Sequence, residues 1–194
     1  MRYDTVDEVF SSNERFGSDL IDMLSQIAGA DAGHRSSDTG WSAQEIAEHI
    51  AIVDTGVARI CQKLLSKSVP HTDQSLEGAF SISQEFQKSV ATSAGARLEA
   101  PDQVRPTGAI TIADSVRTLV ENQSSYQAMR ADFERLDHSG PTFPHPYFGP
   151  LNAGEWLALA GLHKYRHAKQ ITAQLDAKIP GQKEGNPAGD ETSN

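Results

Sequence analysis

Cysteine is almost missing from this chain of 194 residues. Cys61 stands alone, which excludes an internal disulfide and any cysteine-cluster metal site, and fits a reducing, cytoplasmic setting. Basic charge is scarce as well: 17 Lys and Arg face 26 Asp and Glu, for a formal net charge of −9. The cations are scattered rather than gathered in a stripe, so phosphate backbones are repelled and no nucleic-acid partner is expected. Long apolar runs are lacking too. The run over residues 156–162 stops at His163, far short of the about 20 residues that span a bilayer, and no membrane partner is expected. The opening residues, Met1-Arg2-Tyr3-Asp4-Thr5-Val6-Asp7-Glu8, carry no apolar core behind them, so a secretory signal is not expected. There is no glycine-rich phosphate loop, no GxSxG and no HExxH, which removes three common catalytic patterns.

What the chain does have is helical periodicity. A first segment opens at Thr5 with Glu8 three residues on, the spacing of a capping box, and carries Val6, Val9, Phe10, Phe16, Leu20, Met23, Leu24 and Ile27 on one face until Gly29 and Gly33. A second opens with Ser42 and Glu45 and carries Ile46, Ile50, Val53, Val57, Ile60 and Leu64 toward Pro70, with Trp41 placed to staple its entry. A third starts at Thr111 and runs through Val116, Leu119, Tyr126 and Phe133 to His138. A fourth starts at Asn152, with Glu155 three residues on, and carries Trp156, Leu159, His163, His167, Ile171 and Leu175. Residues 71–105 are diluted by Ser, Thr, Gly and Ala and read as a crossover with a short helix or two. The prolines of residues 141–150 exclude a helix or a central strand there. The pattern predicts an all-α four-helix bundle with one long crossover, a single domain over residues 1–179, and a disordered tail over 180–194 that has no large apolar residue.

Three of the seven histidines fall on inward faces. At about 100° per residue, His49 projects within the arc of Ile46, Ile50 and Val53, and His163 and His167 align with Trp156, Leu159 and Ile171. An i, i+4 pair sets two imidazoles side by side, able to share one ion. A third from a facing helix would complete a three-nitrogen site with an open position, as in catalytic zinc-type centres. A lone inward histidine is more often a hydrogen-bonded core residue, and both readings stand on the residues alone. His34, His71, His138 and His145 lie in polar or Pro/Gly-rich segments and are expected at the surface, His145 in a stiff loop that leads into the paired-histidine helix. Cys61 lies about 120° from His49 around its helix and reads as a packing residue. Glu45 reads as a cap, with a role behind His49 as the alternative. Gln123 and Tyr126 are either pocket-lining groups or buried polar linkers.

The run Gly40-Trp41-Ser42-Ala43-Gln44-Glu45-Ile46-Ala47-Glu48-His49-Ile50, taken with the run from His145 to Leu157 and with His163-Lys164-Tyr165-Arg166-His167 and Gln170-Ile171, resembles the DinB/YfiT-like superfamily of metalloenzymes. This is the damage-inducible bundle family, unrelated to the DNA polymerase that shares the name. The resemblance runs from the first helix through Leu175. It implies a four-helix bundle that binds a divalent ion, commonly nickel or zinc, through His49, His163 and His167. It further implies a homodimer and a small-molecule substrate. Some members are thiol S-transferases that use bacillithiol or mycothiol, or isomerise maleylpyruvate. Two classes of function therefore stay open: a metal-dependent thiol transferase or related hydrolase or isomerase, and a metal-binding bundle without catalysis. A thiol cofactor with carboxylates needs cations, for which Arg166, Lys164 and Arg59 are the candidates against the plainer reading of a solvated helix face.

Overall fold

The computed structural model describes residues 2–35, 40–93, 95–96 and 98–177. The expected tail at 180–194 and the last two residues of the expected domain lie outside the described residues. The elements in chain order are α1 (Val6–Ser25), α2 (Gly29–Ala32), α3 (Ala43–Leu65), α4 (Gln84–Ser93), α5 (Ile112–Arg135), the strands β1 (Thr142–His145) and β2 (Gly149–Asn152), and α6 (Ala153–Ala177). Single 3-10 turns lie at Gln74–Leu76 and Asp102–Val104 within the crossover.

The helix starts follow the capping chemistry. Thr5 and Ser42 each accept a hydrogen bond from the backbone of a glutamate three residues on, whose carboxylate answers at the cap N–H. Thr111 accepts from the Asp114 backbone, and Asn152 and Glu155 bond each other reciprocally. These caps satisfy amides that the first turn leaves without partners. Ser42→Ala is expected to cost about 1 kcal/mol, read as a lower urea midpoint, because buried Ser42 also loses its bond from Glu45 N.

α1 packs on α5 and α6, and α3 packs on the same two. The contacts fix the directions. Asp7 pairs with Arg130, so α1 and α5 are antiparallel; Asn13 meets Leu157 and Met23 meets Thr172, so α1 and α6 are parallel. Pro70 bridges Leu136 just past the ends of α3 and α5, which are therefore parallel neighbours. A parallel pair cannot be joined by a tight turn, and this is why the crossover between Leu65 and Ile112 is long.

The core divides into two apolar clusters. One gathers Val6, Val9, Phe10, Val57, Cys61, Phe133 and Leu157; the other gathers Leu20, Leu24, Ile46, Ile50, Leu119 and Ile171. Between them along the four long helices fall Asn13, Asp54, Asn122 and Lys164, all buried. Lys164 Nζ lies 2.7 Å from Asp54 Oδ1, Tyr126 donates its hydroxyl hydrogen to Asp54, and Asn122 bonds Thr55. Burial, then the neighbouring Asp54 charge, raises the Tyr126 phenol far above its ordinary range.

The proline-rich segment forms an antiparallel two-stranded ribbon, β1 with β2, in which Pro144 faces Pro150 and His145 faces Gly149. This is an addition to the all-helical expectation. A ribbon of two strands has only edges, where proline costs no ladder bond. Gly149, at φ 72°, takes the left-handed conformation that closes the turn.

Candidate metal centre

His49 lies on the second turn of α3 and its ring is 4.8 Å from that of Trp41, so the residue preceding the cap walls the site. His163 and His167 lie one turn apart on the facing α6. Their ring nitrogens converge: His163 Nε2 is 3.2 Å from His49 Nε2 and 3.1 Å from His167 Nε2. One nitrogen from each of the three lies within 4.8 Å of the others, and the group could hold a metal ion. Zinc–nitrogen bonds of about 2.0–2.1 Å at tetrahedral angles place ligand nitrogens about 3.3 Å apart, so these separations suit one small ion.

The outer nitrogens of His49 and His167 are already committed. His49 Nδ1 donates to the Val104 carbonyl at 2.7 Å, and His167 Nδ1 donates to Gln170 Oε1 at 2.8 Å. Each bond keeps the hydrogen on Nδ1 and leaves a lone pair on Nε2, the tautomer that ligation requires. Burial, then its two histidine neighbours, holds His163 well below the ordinary imidazole range. Burial and the His49 neighbour bring His167 down to about 4, and burial lowers His49 against its bond to Val104. His49 and His167 thus aim Nε2 lone pairs at His163 Nε2, and the three neutral imidazoles are arranged to share one cation. An all-imidazole set suits zinc, copper, iron or nickel over the harder magnesium and calcium.

The remaining candidates fall into place one by one. His138 is a correction: it is 4% exposed, not at the surface, with its ring beside Phe80 and Phe133. It fits because Gly154 lacks a Cβ, which would stand 2.8 Å from His138 Nδ1. His34 and His71 are half-buried, and neither joins the cluster. His145 stacks on Phe148 and accepts the backbone hydrogens of Tyr147 and Phe148 at Nδ1, so it shapes the hairpin turn. Cys61 is buried against the Ala153 carbonyl. Glu45 completes the cap and pairs with Arg35. Tyr126 is a buried linker to Asp54, and Gln123 reaches the Glu14 carbonyl. Lys164 is a second correction: it is buried in an ion pair rather than solvated or free for a ligand. Arg59 and Arg166 are exposed, and Arg166 donates to the Ala96 carbonyl.

Sequence reasoning missed Asp54, Glu48 and the Val104 carbonyl. Asp54 carried a signal, since it sits four residues after Ile50 and three before Val57 on an apolar face. The carbonyl carried none, because any residue can present one.

Burial sets an acid limit on the metal-free protein. His138 is lowered, and His145 and His167 titrate near 4, while an unfolded imidazole titrates near 6.5. Below 6.5 the unfolded chain binds protons that the folded one refuses, so stability present above that pH is lost as pH falls toward 4. Urea midpoints measured in a chelator at pH 7.5, 6 and 5 are expected to decrease in that order.

The fold and the site together define a four-helix bundle whose facing helices present a three-histidine, all-nitrogen cluster. The chain belongs to the DinB superfamily, whose sequence profile matches residues 13–171 and so includes all three histidines. Among solved structures it is similar to the crystal structure of TT2238, a four-helix bundle protein. That likeness has a TM-score of 0.58 at 22% identity, covers 87% of this chain and 99% of the other, and concerns the fold alone. No curated protein matches the chain. No helix among the described residues is long and apolar enough to cross a membrane.

Proposed function

We propose that this protein binds nickel or zinc through His49, His163 and His167 and uses it to transfer a low-molecular-weight thiol to a small electrophile. The observation that carries the reading is the convergence of three Nε2 atoms with no carboxylate or thiolate joining them among the described residues. Three protein ligands with a position left open is the arrangement of catalytic rather than structural zinc-type sites. A bound ion would supply Lewis acidity that keeps a coordinated thiol deprotonated at neutral pH.

The chain's own residues do the rest. Val104 and Gln170 hold two imidazoles in the ligating tautomer, and Trp41 closes one side. Cys61 is no rival nucleophile, because burial, then the Asp54 charge, pushes its thiol far above the range in which a thiolate forms. The attacking sulfur therefore comes from a small thiol. Arg166 is the exposed cation nearest in sequence to the ligands and is suited to a carboxylate on that thiol.

The test is to incubate nickel- or zinc-loaded protein with bacillithiol, mycothiol, glutathione or cysteine and a generic electrophile. Metal-dependent turnover that His163→Ala removes is the expected result. Stoichiometric metal without turnover or saturable binding by any of these thiols would leave a non-catalytic metal-binding bundle.

A further inference from the structure

The crossover between α4 and α5 reaches the histidine cluster over residues 104–110, and a side chain with no part in the proposed chemistry holds it there. Glu48, next to His49, is 2% exposed. Its Oε1 accepts from Thr107 N at 2.9 Å and Thr107 Oγ1 at 2.7 Å, and its Oε2 accepts from Gly108 N at 2.8 Å. One turn earlier on α3, Gln44 donates to the Gly108 carbonyl at 2.8 Å. Arg105, Thr107, Ala109 and Ile110 are exposed, so this stretch has little apolar burial of its own to anchor it, and its place depends on these polar bonds.

We propose that Glu48 is a positioning residue for the metal centre: by docking Thr107 and Gly108 onto α3 it places the Val104 carbonyl against His49 Nδ1. The inference rests on the metal reading above. The link between the two points is stiff. Pro106 fixes its own φ and confines Arg105 to extended backbone, observed at φ −69° and ψ 136°. A carboxylate that accepts several N–H and O–H donors at once needs both oxygens as acceptors. Glu48→Gln keeps the shape but turns an N–H toward one of those donors, and so undocks the stretch.

The experiment titrates the full chain with Co²⁺, follows its visible ligand-field bands, and records hydrogen exchange of the amides at 104–110. The comparison variant is Glu155→Gln, at the start of α6 far along the bundle, where a buried carboxylate accepts from Ser83 and Asn152. For Glu48→Gln we expect faster exchange at 104–110, Co²⁺ affinity lowered by about 10–100-fold and altered bands. Glu155→Gln is expected to lose stability but keep the wild-type affinity and bands. Should Glu48→Gln fail to fold, Pro106→Gly loosens the link while leaving the carboxylate in place, and a several-fold weaker Co²⁺ affinity is expected. Wild-type affinity and bands in the folded variant would overturn the inference while leaving the metal reading intact. No Co²⁺ binding by the wild-type chain would overturn the metal reading and the inference with it.

Discussion

His163→Ala is expected to abolish stoichiometric divalent-metal binding while leaving the helical circular dichroism of the protein unchanged. His163 is the middle member of the cluster, in contact with both other Nε2 atoms. Removing it leaves two nitrogens from opposite helices and no third to close the set. The loss should exceed the about 10–100-fold that follows removal of a group merely supporting a ligand. The fold should survive because the two apolar clusters are complete without the site, unlike a zinc finger that is unfolded without its ion. Isothermal titration with Zn²⁺ or Ni²⁺ after chelation, beside far-ultraviolet circular dichroism, checks both halves. Retained one-to-one affinity would show that the three-histidine assignment is wrong, and helix loss would make the ion a structural staple.

The second large effect concerns stability. Lys164→Ala is expected to cost about 3–5 kcal/mol, the usual cost of stranding one buried charge by removing its partner. Both partners of the pair are only 2% exposed at the side chain, so the variant leaves the Asp54 carboxylate buried with no cation beside it. Asp54 Oδ2 already has no hydrogen-bond partner among the described residues, and the Tyr126 hydroxyl alone cannot neutralise the carboxylate. For a domain of this size such a loss lowers Tm by about 6–20 °C. The double replacement Lys164→Met with Asp54→Leu should recover most of it, because two apolar side chains avoid the desolvation cost. Thermal melts of the two singles and the double form the test. A single-variant cost under about 1 kcal/mol would place the pair in the class of exposed salt bridges.

The interplay of these two sites shows where reading the residues succeeds and where it stops. Helix starts were legible because capping is local: Thr5, Ser42, Thr111 and Asn152 each act on an amide three residues away. The inward direction of His49, His163 and His167 was legible because 3.6-residue periodicity is a property of each helix alone. His138 and Lys164 were not. A buried place for His138 depends on Gly154 and Phe80 from other segments, and one for Lys164 depends on Asp54 from α3. The hairpin was hidden by its prolines, which argue against strands in general but not against a two-stranded edge.

The sequence by itself determined the helical class, the helix starts, the two apolar faces and the three imidazoles on them, because short-range hydrogen bonds and periodicity decide these within one element. Tertiary structure alone decided that the imidazoles meet, with nitrogens 3.1–3.2 Å apart, and that α3 runs parallel to α5 and antiparallel to α6. It also decided that a backbone carbonyl from the crossover sets the tautomer of His49. Distances between elements depend on how whole faces pack and on where a long connection is docked, and no local pattern encodes either.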